Sequence, residues 1–215
     1  MLCSRCSEPV RPVVALDVDE TLAKYLKHWF KFANSYFDKM WFVSDYDGRF
    51  SLSEFMGISK EQYRTAKLAY RAGGWKRNMP IYDGAQMLWA KLRAVDAEIW
   101  VTTTRPYMRM DNIDPDTREW LRRYGLDGYR GLLYDEDKYA ELLERVDAHR
   151  IVGIVEDDPA QCARAADLGL APIRPRRRQN DHAEDPLGIV VPSLHVAQKV
   201  LLERIDHWKE EHGTA

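Results

Sequence analysis

Cysteine is scarce in this chain: Cys3, Cys6 and Cys162 are the only three in 215 residues. An odd count with no framework excludes a disulfide-stapled secreted scaffold and fits a reducing compartment. Cys3 and Cys6 form C-x-x-C, but a tetrahedral zinc site needs a second pair, and neither another C-x-x-C nor an H-x-x-x-H occurs. The pair is read as two thiols on an N-terminal tail, residues 1–11. Long apolar runs are also missing: nothing approaches the roughly 18 residues of a membrane span, and the first residues lack the apolar core of a secretory signal. No membrane partner is expected, and the cytoplasm is the expected location. Net charge is nearly absent, −2 from 32 basic and 34 acidic residues, which argues against a surface that coats nucleic acid while leaving a local basic groove open. There is no solenoid repeat and no G-x-x-x-x-G-K phosphate cradle. The six histidines fall in helices or loops, so no Ser-His-Asp arrangement is expected.

What is present is an alternation. Short apolar runs at Val13 to Val18, Glu98 to Thr103, Gly131 to Tyr134, Ile151 to Val155 and Ala171 to Ile173 take turns with amphipathic stretches. Those stretches predict helices over about Asp83 to Ala94, Asp116 to Tyr124, Lys138 to Val146 and Pro159 to Leu168, and a last one capped by Ser193 and running to about Glu211. Alternating strand and helix implies an α/β fold, a three-layer, Rossmann-like, doubly wound parallel sheet. Two segments interrupt the pattern. Residues 24–80 are helix-like and unusually aromatic, too long for a βα loop, and predict a small helical cap inserted after the first strand. The core is then residues 12–23 and 81–215. Residues 174–188, RPRRRQNDHAEDPLG, predict a charged, flexible surface loop.

In an open parallel sheet, ligands bind beyond the carboxyl ends of the strands. Polar residues collect there: Asp17, Asp19 and Thr21 after the first strand, Thr103, Thr104 and Arg105 after the second, and Glu156, Asp157 and Asp158 after the fourth, with Lys138 at a helix start. Carboxylates gathered in one place repel unless some are protonated or a divalent cation joins them. Oxygen-only ligands select a hard cation, and Mg²⁺ is the usual choice where a substrate phosphate completes the shell. With other catalytic sets excluded, an aspartate nucleophile remains, able to attack phosphorus, with a second acid two residues along to move protons. Thr103 and Lys138 would stabilise the transferring phosphoryl group.

DVDET at residues 17–21, Thr103 in VTTTRP, Lys138, and Glu156-Asp157-Asp158 stand in the order of four motifs of the haloacid dehalogenase superfamily of phosphohydrolases, which the chain resembles over about residues 12–173. The resemblance implies Asp17 as nucleophile, Asp19 as general acid and base, Thr103 and Lys138 as phosphoryl contacts, and Mg²⁺ held by Asp17, the backbone of Asp19 and Asp157, with Glu156 the neighbouring candidate and Asp158 an extra acid. IYDGAQMLWAKLRAVDAEIWVTTTRP is similar to 5'(3')-deoxyribonucleotidases, which implies a nucleotide-like substrate. Thr21, Thr104 and Arg105 complete the candidate substrate site, with Trp41, Tyr70 and Trp75 as candidate stacking residues from the insertion. Other segments resemble the phosphatase domain of polynucleotide kinases, which keeps a nucleic-acid 3' end open as substrate, and a silent nucleotide-binding module is the reading from another class. A homodimer is left open. Glu20 stands where both families commonly have glycine, and nothing in the sequence accounts for it.

Overall fold

The computed structural model describes residues 10–105, 110–183 and 188–213; Cys3, Cys6 and most of the tail lie outside them. Six parallel strands form one sheet: β1 (Val13–Asp17), β2 (Glu98–Thr103), β3 (Gly131–Tyr134), β4 (Ile151–Val155), β5 (Pro172–Pro175) and β6 (Ile189–Val191), in the order β3-β2-β1-β4-β5-β6. β1 lies in the interior of the sheet and all five of its residues are buried. Its side chains alternate between the faces, as the strand period requires. Val14 and Leu16 join a core with α4 (Ala85–Ala94), α5 (Ile113–Arg123) and α8 (Leu194–His212), and Val13 and Ala15 join one with α6 (Lys138–Arg145) and α7 (Pro159–Asp167). Helices thus cover both faces of the sheet, which makes three layers. The close approach of α8 to β4 depends on Gly153, where an added Cβ would lie 2.6 Å from a methyl of Leu201.

The predicted elements are present, with three differences. α5 starts at Ile113, before the expected Asp116, because Asp114 and Asp116 suit a helix N-terminus and Pro115 is tolerated in a first turn. Ser193 occupies the position before α8 but makes no capping hydrogen bond with its side chain. Of residues 174–188, predicted as a loop, 184–187 lie outside the described residues, and the part before them is built into the fold: β5 continues to Pro175 and residues 178–180 make a 3₁₀ turn; just beyond the stretch, β6 closes the sheet edge. Arg174 is 2 % exposed because its guanidinium donates to the carbonyls of Asn180 at 2.7 Å and Ala183 at 3.0 Å. Backbone acceptors thus compensate a charge that, read from the sequence, belongs in solvent.

Residues 24–80 contain α1 (Tyr25–Phe37), α2 (Leu52–Phe55) and α3 (Lys60–Ala72), with 3₁₀ turns at 43–45 and 75–78. The segment leaves and re-enters through a short antiparallel stem, in which Lys24 N–H donates to Pro80 O at 2.7 Å and Tyr82 N–H to Leu22 O at 2.8 Å. Its interior is a packed aromatic cluster in which Tyr70 meets Trp29, Phe32 and Tyr25 edge-on at 5.3 to 6.0 Å between centroids. No described helix is long and apolar enough to cross a membrane.

Candidate active site

The chain runs outward from β1 through β2 to β3, then crosses back to place β4 on the other side of β1, so loops diverge between β1 and β4 and leave a crevice at their carboxyl ends. Register decides what faces it. Leu16 pairs with Val155, so Asp17 and the Glu156-Asp157-Asp158 run emerge side by side. A cavity of about 230 Å³ opens there, lined by Asp17, Asp19, Thr103, Thr104, Arg105, Lys138, Glu156, Asp157 and Asp158 from the sheet side, together with Tyr25, Lys67, Arg71 and Lys76 from the insertion.

The three acids after β4 have different surroundings. Glu156 Oε2 accepts from Tyr139 OH at 2.5 Å and pairs with Lys138 Nζ at 2.5 Å, and its Oε1 accepts from Asp158 N–H at 3.1 Å. Asp158 turns its carboxylate to the N-terminus of α7, accepting from Ala160 N–H at 2.8 Å and Gln161 N–H at 3.4 Å. Among the described residues Asp157 has one side-chain hydrogen-bond partner, Thr21 Oγ1 at 3.3 Å, while Asn180 Nδ2 holds its backbone carbonyl at 2.6 Å. Lys138 Nζ also reaches Asp17 Oδ1 at 2.5 Å.

Asp17, Glu156 and Asp157 are all buried, with carboxylate oxygens within 4.8 Å of one another. Three carboxylates face one ammonium, an excess of two negative charges, which one divalent cation neutralises. The all-oxygen donor set suits a hard cation. The strain of the uncompensated charge shows in the acids themselves. Burial, then repulsion from Glu156, pushes Asp17 up to about 7 despite Lys138. Burial followed by Glu156 and Asp17 pushes Asp157 well above the carboxylate range. Burial opposes the Lys138 ammonium, but Asp17 and Glu156 outweigh it and hold the proton more tightly than usual.

Asp19 has the opposite environment. Burial would raise it, but Arg105 and Lys76 dominate and hold it well below the carboxylate range. Arg105 Nη2 donates to Asp19 Oδ1 at 2.6 Å and is itself steadied by Thr117 Oγ1 at 2.7 Å; Lys76 Nζ pairs with Asp19 Oδ2. In this arrangement Asp19 is a carboxylate that can take a proton and has none to give.

Of the sequence candidates, the structure brings Asp17, Asp19, Thr103, Thr104, Arg105, Lys138, Glu156 and Asp157 to one cavity, with Thr21 bonded to Asp157. It does not bring the three aromatic candidates there. Tyr70 is fully buried and accounted for by His28 Nδ1 at 2.9 Å and its ring neighbours; Trp41 is edge-on to Phe37 at 5.9 Å; Trp75 lines a separate groove with Lys27, Lys31 and His28. Among the described residues, the aromatic side chain that does line the cavity is Tyr25. Lys76, Tyr139 and Asn180 were not legible as site residues: their partners lie 57, 17 and 23 residues away in the chain.

Glu20 has a structural account. Its backbone is left-handed, φ +65°, and its carboxylate is buried. Oε1 accepts from Leu26 N–H at 2.5 Å, taking the place of the absent cap on α1, and Oε2 accepts from Tyr82 OH at 2.6 Å and Gln179 Nε2 at 3.2 Å. Arg177 stacks on the Tyr82 ring at 3.8 Å and donates to Glu20 O at 2.9 Å.

Several solved structures of haloacid dehalogenase-superfamily (HAD) hydrolases are similar to this chain in architecture. The chain is similar to a HAD-hydrolase YfnB from Bacillus subtilis bound to magnesium, with a TM-score of 0.64 at 14% identity over 90% of this chain and 100% of that one. A predicted phosphatase from Clostridium acetobutylicum gives 0.63 at 17% identity over 91% and 100%. A mutant of CbbY from Rhodobacter sphaeroides in complex with xylulose-(1,5)bisphosphate gives 0.61 at 17% identity over 86% and 95%. At these identities the likeness is one of fold. No protein-family model matches the sequence, and no curated protein matches it.

Proposed function

We propose that the protein is a Mg²⁺-dependent phosphomonoesterase working through an aspartyl-phosphate. The observation that carries this reading is Asp17, a buried carboxylate at the sheet's switch point, bonded to Lys138 and beside the Asp157 carboxylate. Asp17, the backbone carbonyl of Asp19, and Asp157 would hold the cation, which when bound neutralises the acids and the phosphoryl oxygens. Glu156, engaged by three donors, sets the position of Lys138.

Asp17 attacks phosphorus, the bond from phosphorus to the ester oxygen breaks, and the departing alkoxide takes a proton from Asp19. Water then attacks the aspartyl-phosphate, its proton passes to Asp19, and phosphate leaves with Asp17 restored. Thr103 and Lys138 bear on the phosphoryl oxygens in both steps. Asp19 serves the second step in the ionised form seen here. For the first its hold on Lys76 and Arg105 must loosen; Lys76 belongs to the insertion, which we read as a helical cap whose displacement removes one of the two cations, while Arg105, anchored to Thr117, stays with the core.

A phosphorylated small molecule is the substrate class we favour, supported by the phosphorylated sugar bound to CbbY of the same fold. The nucleotide implied by the sequence resemblance is a narrower form of this reading, with Tyr25 the aromatic side chain available to a base. The test is phosphate release from sugar phosphates, nucleoside monophosphates and a 3'-phosphorylated oligonucleotide, with and without Mg²⁺. Asp17→Asn is expected to abolish release while the circular-dichroism spectrum and melt stay native. Turnover that survives this change, or survives complete chelation, overturns the mechanism, and binding without turnover of any compound favours a silent module.

A further inference from the structure

Residues 24–80 carry eleven basic and five acidic side chains, a net charge of +6, in a chain whose total is −2. Two of those basic residues reach the active-site cavity without an acid of their own. Lys67 and Arg71 lie one turn apart on α3, hence on one face, and both line the cavity. Lys76, Arg105 and Lys138 are each paired with a carboxylate there, whereas among the described residues neither Lys67 nor Arg71 makes an ion pair. The Lys67 ammonium is held by rings instead, 4.9 Å from the centroid of Tyr25, 5.5 Å from Tyr63 and 5.7 Å from Trp29. Such a cage orients a cation while leaving its hydrogen bonds to be made elsewhere.

A third group points the same way. Tyr25 lines the cavity and is 8 % exposed, and its hydroxyl is buried with no hydrogen-bond partner among the described residues. Buried hydroxyls are ordinarily bonded, so one left over beside two unpaired cations is a donor in want of an acceptor. The phosphoryl site has no use for these three groups, since Asp17, Thr103 and Lys138 already serve it.

We propose that Lys67, Arg71 and Tyr25 form a second anion subsite in the cavity, so that the substrate is a compact phosphomonoester carrying a second phosphate or carboxylate. The cavity, about 230 Å³, is smaller than the roughly 300–1,000 Å³ of sites for drug-sized ligands and suits such a molecule. This subsite rests on the hydrolytic reading above, because that reading places the first phosphate at Asp17.

The test uses matched pairs: ribose 5-phosphate against ribose 1,5-bisphosphate, and glycerol 3-phosphate against 3-phosphoglycerate. The unaltered protein is expected to favour the doubly anionic member of one pair by about tenfold or more in kcat/KM, as charge-assisted hydrogen bonds allow, and the pair that shows it distinguishes phosphate from carboxylate. In the double variant Lys67→Met, Arg71→Met the ratio falls towards one. Should that variant unfold, the single change Arg71→Met carries the same expectation at smaller amplitude. A ratio near one in both pairs for the unaltered protein, or a ratio the replacements leave intact, overturns the subsite. If no compound is hydrolysed the hydrolytic reading fails, and calorimetry on the Asp17→Asn protein then judges the subsite by itself: bisphosphate binding about tenfold tighter than the monophosphate supports it, and equal binding overturns it.

Discussion

Glu20 follows Asp19 directly and holds φ +65°, a conformation that costs a residue with a Cβ about 1 kcal/mol or more. The cost is offset by three hydrogen bonds that a glycine could not make: to the N-terminus of α1, to Tyr82 on the returning chain, and to Gln179. One carboxylate thus joins the start of the insertion, its end, and the segment after β5. Replacing it by alanine leaves the Tyr82 hydroxyl and the Leu26 amide without their acceptor. We expect Glu20→Ala to lose about 1–3 kcal/mol in urea unfolding, and Glu20→Gly to recover part of that loss by relieving the backbone. An unchanged midpoint for Glu20→Ala would show that the bonds contribute nothing net.

At the scale of elements, the segment from β5 to the turn at 178–180 supports the acid run after β4 from beneath. Asn180 donates to the Asp157 carbonyl at 2.6 Å and accepts from Arg177 N–H at 2.7 Å, and Arg174 holds the Asn180 carbonyl. The turn therefore sets where Asp157 points. Groups that orient metal ligands typically change affinity by about 10–100-fold when removed. Asn180→Ala is expected to weaken Mg²⁺ binding by that order in a calorimetric titration, with the fold retained. An affinity equal to that of the unaltered protein would detach the turn from the site. The α7 N-terminus has its own acid in Asp158, which is why three consecutive carboxylates do not act as three equivalent ligands.

For the molecule as a whole, the acid cluster makes stability depend on pH and metal together. Asp17 is raised from 3.8 to about 7 in the folded chain, so the metal-free fold binds a proton that the unfolded chain has released across that interval. Its contribution is present at low pH and is lost as pH rises through about 7. Metal binding needs the ionised acids and so favours the opposite end. Without metal, Tm is expected to fall between about pH 5 and about pH 8; Mg²⁺ should raise Tm by several degrees near pH 8 and hardly at all near pH 5. Equal shifts at both ends in a differential scanning experiment would separate the cation from these carboxylates.

Much of the architecture was legible in the residues. Unbroken apolar runs mark strands covered on both faces, helical spacing marks the layers around them, and acids and hydroxyls just past the runs mark the candidate site, because strand ends in a parallel sheet are where polar groups meet a ligand. Residues 12–23, 98–105 and 151–158 carry the strand-and-acid part of that pattern. The limits are physical too. β6 is three residues long at a sheet edge, too short to show a period. The aromatics of the insertion have the same helical spacing whether they pack or face a cavity, and three-dimensional packing alone put Tyr25 at the cavity and Tyr70 in the interior. Charges in 174–180 read as solvated until the backbone carbonyls that bind Arg174 were in place. Above all, Lys76 with Asp19, Asn180 with Asp157, and Glu20 with Tyr82 are contacts across the fold. Local sequence determined which groups could do chemistry; the crossing from β3 back to β4 and the return of the insertion decided which of them meet.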